Sequence, residues 1–200
     1  AEQALAQQVE SAVKPLQYHS PTPVIHRPFE EAEWFNAIGW PFQHWQSSRY
    51  SDGSFGVWYG ADSVEATVYE TASHWYHGVL LDAEGYADEP VAIERKVYNV
   101  ACDALILDLR PCVEKFPALL HKTDYGFTQQ VGARLQREGH PGLVTPSARY
   151  IEGLVYVVFN PATLSSPRFN CMLTYRLQDK HVFVEKRPGQ TWRKIPVAGL

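Results

Sequence analysis

Four side chains of this 200-residue chain could do chemistry together: Arg27, Arg49, Tyr59 and Glu70. Two guanidiniums can hold phosphate oxygens through forked hydrogen bonds. A tyrosine can stack on a planar ring, and a carboxylate can stabilise positive charge developing at a sugar carbon. Breaking the N-glycosidic bond of a dinucleotide demands such a set, because its transition state resembles an oxocarbenium ion. The same residues also read as two surface arginines, a half-buried tyrosine and a solvated glutamate, and from spacing alone that reading is the stronger. Both readings stay open.

Two other groupings carry possible chemistry. Glu70, His74 and His77 fall on one helical face, and such a trio can bind a transition metal. The His-Glu-x-x-His pattern is absent, and the bland alternative is a solvated or cleft-lining face. Thr128, near the start of a helix, and Ser147, on the strand after it, offer hydroxyls that can touch a phosphate beside helix amides. Hydroxyls at helix starts also serve as caps. No Gly-x-Ser-x-Gly elbow marks a serine nucleophile. Cys102, Cys112 and Cys171 adjoin no histidine, which favours core thiols over nucleophiles.

The stretch from Ser48 to His77 must position most of these groups. Ser54–Tyr59 is rich in aromatic and small residues and reads as a strand broken by Gly60. Asp62 and Glu65 then have the spacing of a capping box. Val64, Val68, Trp75 and Val79 recur with helical period, so Glu70 points away from the apolar stripe and shares a face with Thr67, His74 and His77. Upstream, residues 1–14 predict a helix stopped by Pro15, and residues 24–27 a short strand. Residues 29–47 predict a short helix and an aromatic loop with a Gly39-Trp40-Pro41 break. Downstream, residues 91–100 and 104–110 predict strands, 111–122 a short helix interrupted near Pro117, and 124–138 a helix stopped at Gly139. Strands follow over 142–149 and 153–161, with more from about 168 and a turn at Pro188-Gly189. Strands at both ends with helices between them indicate an α+β fold.

Composition narrows the function classes. With 45% hydrophobic residues, the chain is long enough for a real core: an N-terminal helix and linker over 1–22, and one domain over 23–200. Net charge is −4 and no basic block occurs, which argues against direct nucleic-acid binding. No apolar run reaches membrane-spanning length, and no signal peptide is visible. An odd number of cysteines without paired spacing predicts reduced thiols and a cytoplasmic setting.

The segment RYSDGSFGVWYGADSVEATVYE resembles the central block of RES-domain proteins. That block runs as an arginine followed by an aromatic residue, a Gly-containing turn, a strand with a tyrosine, a Ser-containing helix start and a glutamate. These are Arg49-Tyr50, Gly53, Tyr59, Asp62-Ser63 and Glu70. Arg27 matches the family's earlier arginine, and the strand GLVTPSAR is of the family's type. The family's serine would be matched by Thr128 or by Ser147. The sequence departs from the pattern at Pro28, where an aromatic residue is usual, and at Ser47-Ser48, where Gly-Gly is usual.

The resemblance implies an ADP-ribosyltransferase-like fold with a split mixed sheet. It also implies NAD⁺ as substrate, destroyed by hydrolysis or phosphorolysis, with no further cofactor and no metal. Arg27, Arg49 and Glu70 would be catalytic, and Tyr59, Tyr50, Thr128 and Ser147 would bind substrate. A toxin of a bacterial toxin–antitoxin pair is implied, partnered by an Xre-type helix-turn-helix antitoxin. The rivals are transfer of ADP-ribose to a protein, a catalytically silent NAD-binding or scaffold module, and a metalloenzyme built on Glu70, His74 and His77. Oligomeric state is not legible.

Overall fold

The structure, a computed structural model, describes residues 28–81 and 91–200. The expected helix over 1–14, the strand over 24–27 and Arg27 lie outside the described residues. Chain contacts divide the molecule into units 1–31 and 32–200, and the second carries everything that follows. As expected, it is α+β.

The second unit holds a two-stranded ribbon and two four-stranded sheets. The ribbon pairs β1 (Ser47–Ser48) with β2 (Ser51–Asp52). One sheet contains β3 (Trp58–Ala61), β5 (Leu107–Asp108), β6 (Gly142–Pro146) and β7 (Leu154–Val158), in the order β3-β7-β6-β5. Its β5–β6 pair is parallel and its other pairs are antiparallel. The other sheet is wholly antiparallel, ordered β10-β9-β8-β4, from β4 (Val91–Cys102), β8 (Leu164–Gln178), β9 (His181–Arg187) and β10 (Gln190–Pro196).

Each sheet has its own core. In β8 the side chains of Leu173, Tyr175 and Leu177 are buried, following the two-residue period of a strand. They pack with Val182, Val184 and Ile195 against Val68, Ala72 and Trp75 of the Val64–Trp75 helix. Each such fully buried aliphatic side chain contributes roughly 1.5–3 kcal/mol relative to exposure. The other core joins Tyr50, Phe55, Val57, Leu143, Val155 and Val157 to Val131 and Leu135 of the Gly126–Arg137 helix.

Several boundaries differ from expectation for identifiable reasons. The strand expected over 54–59 is displaced to Trp58–Ala61 and passes through Gly60. A Cβ on Gly60 would stand 2.4 Å from the Trp58 indole, so glycine lets that ring fold back over its own strand. The helix cap is Ser63, whose hydroxyl accepts from Ala66 N at 3.1 Å, and not Asp62. Asp62 instead accepts from Leu154 N at 3.0 Å, tying the helix start to β7. After Trp75 the helix widens into a π turn over Tyr76–Leu80, which rotates Val79 out to 47% exposure and buries Leu80 in its place.

Elsewhere, the Gly-Trp-Pro break does not end the helical run, because Pro41 falls at the start of a new helical turn, Trp40–Gln43. The strand expected over 104–110 shrinks to β5, with Leu105 94% exposed. Asp108 accepts from Arg110 N at 2.9 Å and turns the chain into a 3₁₀ helix, Arg110–Cys112. Where a helix was expected over 111–122 there is only this turn and another 3₁₀ turn, Pro117–Leu120. Cys102 is exposed and Cys112 half-buried, so neither is the core thiol expected, whereas half-buried Cys171 packs against the core around the Val64–Trp75 helix; all three are free. Gly139, at φ +78°, ends the Gly126–Arg137 helix as expected: its N–H donates to Gln136 O and that of His140 to Leu135 O.

Candidate active site

Arg49 occupies the two-residue tip of the β1–β2 ribbon, with Tyr50 beside it. The Tyr50 ring is fully buried in the core under the ribbon, which raises the phenol pKa by desolvation. The expectation that this ring binds substrate is therefore corrected: the ring anchors the loop and has no surface to offer. The ribbon is held from one side by Gln129, whose Nε2 donates to Ser48 O at 3.0 Å, Ser47 Oγ at 3.2 Å and Ser51 O at 3.3 Å. Gly132, one turn along the same helix, makes that approach possible, because a Cβ there would lie 2.0 Å from Tyr50 O. On the other side the Tyr59 hydroxyl accepts from Tyr50 N at 3.0 Å and bonds Ser48 Oγ at 2.9 Å.

So anchored, Arg49 reaches over the helix entrance. Its Nη1 donates to His121 O at 2.8 Å, and its guanidinium lies 4.7 Å above the centre of the Tyr125 ring. Its Nη2 is buried and has no hydrogen-bond partner among the described residues. A buried cationic donor left unpaired is costly, and an anion would satisfy it once the guanidinium turns outward.

Glu70 stands on the Val64–Trp75 helix. Its Oε1 accepts from Ser147 Oγ at 2.5 Å; Oε2 takes no hydrogen bond among the described residues. Ser147, 5% exposed, follows β6, and its oxygen also accepts from Arg149 N at 3.0 Å and Tyr150 N at 2.9 Å. A stack of Tyr69 on Tyr150, ring centres 5.1 Å apart, fastens the helix to the same turn. Gly153 permits this closeness, since a Cβ there would come within 2.6 Å of the Ala66 Cβ.

The remaining sequence candidates separate. Thr128 is fully buried, and its hydroxyl donates to Tyr125 O at 3.0 Å, so the proton is spent within the first helical turn. His74 is exposed, and His77 Nδ1 lies 3.1 Å from Ser73 O. Among the described residues no three His, Cys, Asp or Glu side chains are grouped to hold a metal ion. No helix of the described residues is long and apolar enough to cross a membrane.

Two participants were missed in the sequence. Arg149 donates from Nη2 to Lys122 O at 2.5 Å and to the Tyr125 hydroxyl at 3.3 Å, and from Nη1 to Leu200 O at 3.3 Å. Tyr125, in turn, carries Arg49 on its face. The signal was present: Arg149 closes the Pro-Ser-Ala-Arg run that contains Ser147, and Tyr125 immediately precedes the helix.

A cavity of about 680 Å³ opens between β3 and β4, the facing edges of the two sheets. Trp58, Tyr59, Thr67, Lys96, Tyr98 and Asn99 are among its walls. Its size suits a small-molecule ligand. Tyr59 connects it with the arginine ribbon, and Thr67 lies one helical turn before Glu70.

Tyr59 as a residue remains 38% exposed while its hydroxyl is engaged by Tyr50 N and Ser48 Oγ, and desolvation pushes the phenol up to about 12 from 10.0. Tyr175 is likewise raised to about 12 by burial. A phenol raised in the folded state stabilises the fold fully below its unfolded pKa and loses that contribution as pH climbs through the folded one. Stability should therefore hold up to about pH 10 and fall between about 10 and 12. Phenolate absorbance followed alongside thermal melting checks this; ionisation of every tyrosine near pH 10, with melting unchanged, would contradict it.

No protein of curated function matches the chain. The family model for the RES domain matches residues 24–178, more than half of the sequence, and it covers the arginine ribbon, the Glu70 helix and the Ser147 turn alike: the chain belongs to the RES-domain family.

Proposed function

We propose that this protein cleaves the nicotinamide–ribose bond of NAD⁺ and acts as the toxin of a bacterial toxin–antitoxin pair. The observation that carries the reading is the half-engaged carboxylate: Glu70 is fixed through Oε1 by Ser147, and its Oε2 is open to a ligand. Such an oxygen stabilises positive charge as the ribose carbon loses its leaving group. The C–N bond breaks, its electron pair neutralises the nicotinamide ring, and an oxygen of water or phosphate attacks the ribose carbon and releases a proton. Arg49 turns its buried, unpaired Nη2 outward to the pyrophosphate, and Tyr59, partly exposed, stacks on a planar base.

Arg27 joins Arg49 in this proposal on the family pattern alone. Thr128 joins the substrate-binding set on the family pattern alone, with its hydroxyl already engaged by Tyr125 O. The ADP-ribosyltransferase likeness and the cytoplasmic setting belong to the same reading. So does a neutralising partner, an Xre-type helix-turn-helix antitoxin that covers the Arg27, Arg49 and Glu70 cleft; the net charge of −4 suits a basic partner.

The test is incubation of the purified chain with NAD⁺, with and without phosphate, followed by chromatography of the products. Nicotinamide should appear in step with NAD⁺ loss, beside ADP-ribose in water or its phosphorylated form in phosphate. NAD⁺ left intact by equimolar protein would sink the reading. Label from NAD⁺ recovered on protein would replace it with ADP-ribosyl transfer.

A further inference from the structure

The two groups assigned to the reaction belong to different cores. Glu70 rides on the helix that packs against β8 and β9, whereas the Arg49 ribbon is rooted through Tyr50 in the core under β6 and β7. Chemistry that uses both needs their spacing fixed. Ser147, Ala148 and Arg149 form a short turn that reaches both.

Ser147 does so through the limits of a hydroxyl, which has one proton and two lone pairs. The backbone N–H groups of Arg149 and Tyr150 both point at its oxygen. The one proton goes to Glu70 Oε1 at 2.5 Å and is not free for a substrate. Arg149 is similarly committed: it donates to two backbone carbonyls and to the Tyr125 hydroxyl, beneath the ring that supports Arg49. A displaced Tyr125 takes the Arg49 platform with it.

We propose that the Ser147–Arg149 turn is a positioning element of the active site, Ser147 aiming the Glu70 carboxylate and Arg149 holding Tyr125 as the platform for Arg49. The kinetic consequences rest on the NAD⁺ reading above; the structural ones do not. Glu70 acts on the bond that breaks, so loosening it should reduce kcat; Arg49 grips ground state and transition state alike, so loosening it should raise KM.

The experiment uses the full chain. Crystal structures of Ser147→Ala and Arg149→Met should show Glu70 in a different rotamer and Arg49 lifted from Tyr125, respectively. Unmoved side chains overturn the proposal whatever the protein does to NAD⁺. With NAD⁺ as substrate, Ser147→Ala should lower kcat about 10- to 100-fold and leave KM within about 2-fold. In a Glu70→Gln background the same change should cost less than about 2-fold, because the group it aims is already disabled. Arg149→Met should raise KM about 10-fold, and the gentler Tyr125→Phe should move KM the same way even if the first variant is unstable. A rise in KM for Ser147→Ala, or its full loss repeated in the Glu70→Gln background, would mean that Ser147 touches substrate directly. If wild-type protein leaves NAD⁺ intact, the functional reading fails while the crystal structures still decide the positioning role.

Discussion

Replacing Glu70 by Gln should lower kcat for nicotinamide release about 100- to 1,000-fold with little change in melting temperature. The substitution keeps the shape of the side chain and an oxygen able to accept the Ser147 proton, so the local hydrogen bond survives. What is removed is the negative charge facing the ribose carbon as its bond to nicotinamide breaks. Because that charge is felt most strongly when positive charge develops, the loss should fall on kcat rather than KM. In bacteria, inducing the wild-type chain should deplete NAD⁺ and stop growth, and inducing Glu70→Gln should do neither. A variant that still halts growth while NAD⁺ is spared would show that toxicity does not run through this carboxylate. Growth and NAD⁺ unaffected even by the wild-type chain would favour the silent module.

Gly132→Ala should destabilise the protein by about 2–3 kcal/mol, a large fraction of ordinary domain stability. The added Cβ would meet Tyr50 O at 2.0 Å, and that atom is backbone in a tight ribbon, with no flexible end to swing aside. Either the Gly126–Arg137 helix or the ribbon must retreat. Retreat strains the three Gln129 contacts and the Tyr50 anchor together, so NAD⁺ affinity should fall with stability. Urea unfolding measures the first effect; an unchanged midpoint would show that the helix–ribbon contact is looser than described. Gly139→Ala, at a left-handed position with open space around it, serves as a milder comparison.

Much of this was legible in the sequence where the signal is local. The Gly126–Arg137 helix and its stop at Gly139, the alternating β4, and the turn at Gly189 all follow from periodicity and glycine placement. Glu70 could be set on the face away from the apolar stripe because a helix fixes that angle. What failed depended on distant partners. Asp62 has the spacing of a cap, but β7 offers it Leu154 N, and Ser63 caps instead. Tyr50 follows Arg49 as a family member's aromatic should, yet nothing local reveals that the core lies beneath it. Arg149 and Tyr125 acquire importance only through contacts that bring the 121–125 loop to the Ser147 turn, and no spacing rule encodes these.

The family match ends at residue 178, but the antiparallel sheet does not. Strands β9 and β10 supply Val182, Val184 and Ile195 to the core around the Glu70 helix, and β9 pairs with β8 over Thr174–Gln178. A protein cut after Gln178 would keep Arg49, Glu70, Ser147 and Arg149, yet it would lose Leu200 O, the acceptor of Arg149 Nη1, bare the edge of β8 over Thr174–Gln178 and take Val182, Val184 and Ile195 away from Leu173, Tyr175 and Leu177. Such an edge pairs readily with another copy of itself. The segment that the family match spans is therefore shorter than the segment that completes the sheet, and the hairpin after residue 180 guards the end of β8 against self-association.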